Sequence, residues 1–165
     1  MAGAATGMSR RGSLVGQPAP RFRLRDQDGR WLGLDDLLAD GPVVLAFYPR
    51  DLSFVCTRQL CGYSDAYESL SATGARIVGI SPDPPSRHRE FIDAKRLGFQ
   101  LLSDPDKSVF RAYGVVPRMF AIQTRALFVV GRDGRVLYEK LEPTALTHRA
   151  APELLTILRS LEAEL

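Results

Sequence analysis

The sequence predicts an α/β fold in which a central mixed sheet is flanked by helices and preceded by an N-terminal hairpin extension. Two apolar runs, 43–48 and 75–81, are typical of strands buried on both faces, and the helical stretch between them should make the two strands parallel. Residues 126–130 and 136–139 flank the turn 131–134, which indicates an antiparallel hairpin. The predicted sheet is therefore mixed, and a chain of 165 residues fits one domain.

The N-terminal part of the chain divides into a tail and an extension of the domain. Residues 1–19 are rich in Ala, Gly, Ser and Arg and have no apolar period, so we expect a flexible tail before a domain over residues 20–165. Residues 22–24 and 30–32 flank a turn-rich segment, which predicts a small hairpin. A short helical turn should follow over residues 35–39.

Four longer helical segments are predicted from capping residues and apolar spacing. Ser53 is a favourable N-cap, so a helix should begin after it, contain Cys56 in its third position and continue to about Leu70. Helices over about 85–97 and 105–113 each begin with a proline and are followed by a glycine. The last helix has one apolar face, formed by Leu154, Ile157, Leu158 and Leu161.

The charge pattern argues against nucleic-acid and membrane partners. Residues 1–31 contain six Arg and two Asp, a net charge of +4, so residues 32–165 hold the other sixteen basic and seventeen acidic side chains, a net of −1. No stripe of aromatic and basic residues accompanies the basic segment, and no apolar run approaches the ~18 residues of a membrane span. Because no apolar stretch follows Arg10 and Arg11 as an export signal requires, we expect a cytoplasmic protein with reduced cysteines.

Cys56 is the strongest candidate for a reactive group. A cysteine in the first turn of a helix faces unpaired backbone N–H groups and the positive end of the helix dipole, and both favour the nucleophilic thiolate. The Ser53 hydroxyl is placed to cap the Cys56 N–H or to point towards the sulfur and its substrate. The two roles are compatible.

The segment around Cys56 resembles the active-site loop of a known family. The pattern Pro49-x-x-x-Ser53-x-x-Cys56 is similar to the Pro-x-x-x-Thr/Ser-x-x-Cys loop of the peroxiredoxins of the AhpC/TSA superfamily. A second cysteine five residues later, Cys61, resembles the bacterioferritin-comigratory, or Q-type, subfamily. The likeness extends over about residues 17–140, through segments that occur in the family's order. They are residues 22–29, 43–49, 77–81, 102–104, 113–114 and 125–130.

The resemblance implies a thioredoxin-like fold and a thiol peroxidase that needs no cofactor. Its substrates would be hydrogen peroxide and organic hydroperoxides, and thioredoxin or a similar thiol reductant would recycle it. Cys56 would be the peroxidatic residue, Ser53 and Arg125 would stabilise the transition state, and Pro49 would shield the sulfur from bulk water. Cys61 would resolve the Cys56 sulfenic acid as an intramolecular disulfide. We expect a monomer or weak homodimer.

The spacing of the two cysteines has a mechanical consequence. On an intact helix five residues rise about 7.5 Å and turn about 500°, which puts the two Cα atoms about 8 to 9 Å apart. A disulfide tolerates at most about 7 Å, so the first turns of the helix must unwind before Cys56 and Cys61 can bond. Three alternatives remain open: a one-Cys peroxidase recycled by an external thiol, a disulfide oxidoreductase, and a non-enzymatic redox sensor that binds a partner when oxidised.

The two histidines are expected to contribute nothing to a site. His88 and His148 lie among charged residues in polar segments, which predicts solvated side chains without a partner for a Cys–His pair. Two cysteines and two scattered histidines also lack the spacing of a zinc site, so no metal is expected.

Overall fold

The computed structural model describes residues 12–115, 125–142 and 149–165. In that part of the chain, seven strands form one mixed sheet in the order β2-β1-β5-β4-β3-β6-β7. The strands are β1 (Arg23–Asp26), β2 (Trp31–Gly33), β3 (Val43–Phe47), β4 (Arg76–Ser81), β5 (Gln100–Ser103), β6 (Ala126–Val130) and β7 (Val136–Leu141). The helices are α1 (Leu34–Leu38), α2 (Phe54–Asp65), α3 (Tyr67–Ser71), α4 (Pro85–Lys95), α5 (Ser108–Ala112) and α6 (Ala151–Ser160). None of these helices combines the length and hydropathy needed to cross a membrane.

The pairing of the strands confirms the predicted mixed sheet. β3 and β4 are parallel, β6 is antiparallel to both β3 and β7, and β1 and β2 form the N-terminal hairpin. The strand β5 was not predicted. It has only four residues, pairs parallel with β4 and antiparallel with β1, and joins the hairpin to the rest of the sheet.

Three helices have different bounds from those predicted. The helix that begins after Ser53 ends at Asp65, and Ala66 separates it from α3, whereas the sequence predicted one helix to about Leu70. Helix α4 ends before Arg96, which is left-handed (φ 53°), instead of extending to Gly98. Helix α5 begins at Ser108, not at Pro105, because Lys107 is left-handed and the Asp104 carboxylate accepts a hydrogen bond from the Phe110 N–H instead.

The segment before the first strand is more ordered than predicted. The sequence predicted a flexible tail over residues 1–19, but within the described part Leu14 and Ala19 are buried. The Gly16 and Ala19 amides donate to carbonyls of Val136 and Gly134, so this segment lines the edge of β7. The prediction of a loose tail was wrong for this segment. Leu14 and Ala19 are isolated apolar residues and give no periodic signal in the sequence, but both are buried where the segment pairs with the edge of the sheet. Residues 1–11 lie outside the described part.

The core has two layers, one on each face of the sheet. One apolar cluster contains Leu45, Phe47 and Phe128 together with side chains of α1 and α5. The other contains Val44, Ala46, Leu127 and Val129 and packs against α2, α4 and α6. All five residues of β3 are buried, as the apolar run predicts for a strand that is covered on both faces. Cys56 belongs to the second cluster.

Replacing Gly79 in β4 by alanine is expected to destabilise the protein by about 1–3 kcal/mol, the usual cost of overpacking a core. A Cβ there would lie 2.7 Å from Leu101 Cδ2 and 3.0 Å from Tyr48 Cε1, so both side chains must move. Urea unfolding measures the loss. Gly12→Ala is the control, because a Cβ on Gly12 meets nothing within 4 Å; equal stability of the two variants would contradict the prediction.

Candidate active site

The sheet brings the end of β3 and the start of β6 together. Phe47 pairs with Ala126 in the antiparallel register, so Tyr48, which follows β3, and Arg125, which precedes β6, come from neighbouring strands at the same edge. The loop 49–53 leaves β3 at this point and leads directly into α2. Two segments that are about seventy residues apart in the chain therefore meet at one place.

Cys56 lies at the N-terminus of α2, as predicted. Ser53 is the N-cap and the Thr57 N–H donates to the Ser53 carbonyl, so Cys56 is the third helical residue and its N–H is among the first four, which have no partner within the helix. The side chain is fully buried. Its Sγ accepts a hydrogen bond from Arg125 Nη2 at 2.9 Å. A guanidinium and a helix N-terminus together favour a negatively charged sulfur.

Arg125 is held by a chain of buried hydrogen bonds along one face of α2. Arg125 is 1% exposed, and its Nη1 donates to Gln59 Oε1 at 2.8 Å. Gln59 Nε2 donates to Tyr63 Oη at 3.2 Å, and the Tyr63 hydroxyl donates to the Arg149 carbonyl. Burial raises the pKa of Tyr63 well above its ordinary value, so its phenol stays protonated and can donate. These hydrogen bonds fix the guanidinium of Arg125 so that Nη1 faces Gln59 and Nη2 faces the sulfur of Cys56.

The other predicted loop residues are Ser53 and Pro49, and the Ser53 hydroxyl makes no hydrogen bond to the sulfur. The Ser53 hydroxyl donates to the Arg50 carbonyl at 3.2 Å and does not cap the helix through its side chain. Pro49 is half-buried directly after Tyr48. The roles assigned to these two residues towards a bound substrate stay predictions.

Leu52 puts strain into the loop. Its φ is 59°, in the left-handed region, although it has a branched side chain. Such a conformation costs roughly 1–2 kcal/mol in a residue other than glycine and persists only where the surroundings enforce it. The Leu52 side chain packs against the same apolar cluster as Cys56. The strain therefore lies one residue before the N-cap of the helix that carries Cys56.

Cys61 lies further along α2 as a free, half-buried thiol. It lines an open groove of about 520 Å³ with Leu52, Thr57, Arg58 and Lys95. Burial raises the pKa of the Cys61 thiol, Asp65 raises it further, and Lys95 opposes both. Cys56 and Cys61 are both free thiols on an intact helix, so this is a reduced state in which the two sulfurs have not been joined.

His88 is not solvated, which corrects the sequence prediction. It is fully buried on α4, with Nδ1 at 2.6 Å from Asp51 Oδ2 and Nε2 at 3.0 Å from the Leu102 carbonyl. Its charged neighbours Arg87 and Arg89 are half-buried and Glu90 is exposed, while Asp51 and the Leu102 carbonyl cover the two nitrogens of the imidazole. His148, the other histidine, lies outside the described residues.

Sequence reasoning therefore missed several residues that the site contains. Gln59 and Tyr63 follow Cys56 by three and seven positions, the spacing of one helix face, so this periodicity could have indicated them. Tyr48, Asp51 and His88 gave no comparable signal, because their contacts join three different elements. Over residues 12–115, 125–142 and 149–165, no group of three or more His, Cys, Asp or Glu side chains is arranged to bind a metal ion.

Similarity to solved structures agrees with this geometry. The crystal structure of peroxidoxin BcpB from Mycobacterium tuberculosis superposes with a TM-score of 0.81 at 32% identity, covering 91% of this chain and 99% of BcpB. A structure of peroxiredoxin Q from Xanthomonas campestris gives 0.73 at 25% identity, covering 86% of this chain and 90% of that one. The predicted thioredoxin-like fold is confirmed by these neighbours.

Sequence comparison leads to the same family. The chloroplastic peroxiredoxin Q of Populus jackii is 41% identical over 122 residues, which are 73% of this chain and 57% of that relative. The chain thus spans little more than half the length of the plant relatives that it matches. The model of the AhpC/TSA family matches residues 15–139. With a family model that covers most of its length, the chain belongs to the AhpC/TSA family.

Proposed function

We propose that this chain is a thiol peroxidase that reduces hydrogen peroxide and organic hydroperoxides through Cys56. The observation that carries the proposal is the 2.9 Å hydrogen bond from Arg125 Nη2 to Cys56 Sγ at the N-terminus of α2. A fixed cation and a helix N-terminus stabilise the thiolate, and the same donors are placed to stabilise the charge that develops on a peroxide oxygen. Membership of the AhpC/TSA family supports the same chemistry.

The first chemical step is attack of the Cys56 thiolate on the distal oxygen of the peroxide. A sulfur–oxygen bond forms, the O–O bond breaks, and the proximal oxygen leaves with the electron pair and takes up a proton as water or an alcohol. Sulfur is oxidised by two electrons to a sulfenic acid while the peroxide is reduced. Arg125 is the catalytic cation for this step because it contacts the reacting sulfur.

In the second step, Cys61 attacks the Cys56 sulfenic acid, which releases water and forms a disulfide. The helical geometry requires the first turns of α2 to unwind, since an intact helix keeps the two Cα atoms about 8 to 9 Å apart. A dithiol reductant of the thioredoxin class then reduces the disulfide to two thiols. A cytoplasmic site of action and a monomer or weak homodimer remain parts of this proposal.

Intact-mass measurement after one equivalent of hydrogen peroxide tests the function. We expect the wild-type chain to lose about 2 Da as the disulfide forms, with consumption of the peroxide. The Cys56→Ser variant should keep its mass and leave the peroxide untouched. A wild-type chain that neither changes mass nor consumes peroxide, or a Cys56→Ser variant that still consumes it, would overturn the proposal.

Replacing Gly62 by alanine is expected to slow disulfide closure about two- to fivefold without slowing sulfenic acid formation. Gly62 lies inside α2, and a Cβ there meets nothing within 4 Å, so alanine should stabilise the helix by about 0.5–1 kcal/mol without a clash. Only the step that needs unwinding should respond. Quenched-flow mass analysis separates the two steps; closure at the wild-type rate in a stabilised helix would argue against unwinding.

A further inference from the structure

Three buried side chains, Tyr48, Asp51 and His88, form a hydrogen-bonded unit beside the loop 49–53. Each is at most 1% exposed. The Tyr48 hydroxyl donates to Asp51 Oδ1 at 2.5 Å, and His88 Nδ1 lies 2.6 Å from Asp51 Oδ2. The backbone N–H of Asp51 donates to Asp83 Oδ2 at 2.5 Å. Asp51 is therefore fixed at its backbone and at both carboxylate oxygens, although no step of the proposed reaction uses it.

The hydrogen-bond partners define where the protons are. His88 Nε2 faces the Leu102 carbonyl, which only accepts, so this nitrogen carries a proton. One further proton lies between Nδ1 and the Asp51 carboxylate. The same hydrogen bond therefore joins His88 to Asp51 whichever of the two groups holds the proton.

Three further groups contact the Asp51–His88 pair. They are the Tyr48 phenol directly after β3, the Asp83 carboxylate after β4 and the Leu102 carbonyl in β5. Burial and the neighbouring Asp51 charge raise the pKa of Tyr48 well above its ordinary value, so the phenol remains a donor. Removing one partner of such a buried hydrogen bond leaves the other partner unsatisfied, which is strongly unfavourable.

The unit of Tyr48, Asp51 and His88 lies at the entrance of α2. Asp51 immediately precedes Leu52, whose left-handed backbone must be enforced by its surroundings, and Ser53 and the first turn of α2 follow. The partners of Asp51 lie outside α2: Tyr48 follows β3, Asp83 follows β4 and His88 lies on α4. The position of Cys56 Sγ relative to Arg125 Nη2 thus depends on a loop that is held at Asp51.

We propose that His88 is a positioning residue of the peroxidase: through the hydrogen bond of its Nδ1 it holds Asp51, and through Asp51 the loop that places Cys56 against Arg125. This inference rests on the proposed function. If His88 has this role, removing a hydrogen bond to Asp51 should slow formation of the Cys56 sulfenic acid. A reactive group that is misplaced by about 1 Å can lose up to 10²-fold in rate. Disulfide closure, which needs the loop and helix to open, should be unchanged or faster.

Kinetics of two tyrosine variants test the positioning role. Tyr48→Phe removes one hydrogen bond to Asp51 and keeps the ring, and we expect it to slow sulfenic acid formation about tenfold. Tyr113→Phe is the matched control, since that buried hydroxyl donates to the Pro20 carbonyl in the opposite core layer. It should lose comparable stability and keep the wild-type rate. His88 is connected to the loop through Asp51. His88→Gln should therefore also slow sulfenic acid formation and should leave disulfide closure unchanged.

The outcomes separate this inference from the proposed function. If the wild-type chain reduces peroxide but Tyr48→Phe and His88→Gln react as fast as Tyr113→Phe, the positioning role is refuted and the peroxidase stands. If the wild-type chain does not react, the proposed function itself fails. Slowing of both steps alike would also refute the positioning role, because it would mean general loss of structure.

Proton NMR of the imidazole tests the hydrogen bond independently of activity. The chain has two histidines, so His148→Gln leaves His88 as the only imidazole. We expect a strongly deshielded ring N–H proton that exchanges slowly with solvent, because the hydrogen bond to Asp51 is short and buried. Absence of this signal in the folded protein would refute the hydrogen bond, and its loss in Asp51→Asn would identify the carboxylate as the partner.

Discussion

Replacing Arg125 by lysine is expected to slow the reaction of Cys56 with hydrogen peroxide by about 10²–10³-fold, the usual loss when one donor to a developing charge is removed. Lysine keeps the positive charge but not the planar fork of donors. The guanidinium contacts Gln59 with Nη1 and Cys56 with Nη2, and a single ammonium cannot hold both positions in the same geometry. Trapping of the sulfenic acid after rapid mixing gives the second-order rate.

A matched variant separates the site effect from the general effect of losing an arginine. Arg111 is exposed on α5, so Arg111→Lys should react at the wild-type rate. Because Arg125 is buried, the stability of Arg125→Lys should be measured by urea unfolding in parallel, and the rate compared where both variants are folded. Wild-type rates in folded Arg125→Lys would show that the guanidinium is a structural cation only.

Replacing Cys61 by serine is expected to stop the reaction at the sulfenic acid. One equivalent of peroxide should then add about 16 Da to the chain instead of removing about 2 Da, and no disulfide should form at any pH. Turnover with thioredoxin should fall accordingly, while the first reaction with peroxide keeps its rate. Full-rate turnover by Cys61→Ser would replace the disulfide mechanism with a one-Cys cycle in which an external thiol resolves the sulfenic acid.

The pH dependence of closure tests whether the Cys61 thiolate is the attacking group in the wild-type chain. Burial raises the pKa of the Cys61 thiol above its ordinary range, so at neutral pH most of it is protonated and a poor nucleophile. Closure should therefore accelerate as pH rises, about tenfold per pH unit until the thiol ionises. Time-resolved mass analysis at several pH values measures this; a closure rate independent of pH from 6 to 8 would contradict it.

The elements that the sequence predicted are those with strong local signals. The apolar run of β3, the turn of the β6–β7 hairpin and the N-cap at Ser53 each depend on neighbours within a few residues, and they appear where expected. β5 has only four residues and no turn chemistry of its own, so its pairing with β4 is a tertiary effect. The N-terminal segment that lines β7 was missed for the same reason.

The residues of the candidate site also differ in how well the sequence predicts them. Cys56 was accessible to prediction because its helix position alone favours a thiolate, whereas the partnership with Arg125 came from a family resemblance that the 2.9 Å contact now supports. His88 was misjudged because Arg87, Arg89 and Glu90 surround it in the sequence. On a helix, adjacent residues face different directions, so charged neighbours do not determine whether a side chain between them is buried.

The interruption at Ala66 limits how far a conformational change in α2 can spread. The Leu70 N–H donates to the Ala66 carbonyl, and Leu70 is fully buried, so α3 has a hydrogen-bond ladder and a core anchor that do not depend on α2. Tyr67 of α3 is also paired with the ring of Phe99. An opening of α2 that stops at Ala66 would therefore leave the Leu70 anchor and the pairing of Tyr67 with Phe99 in place.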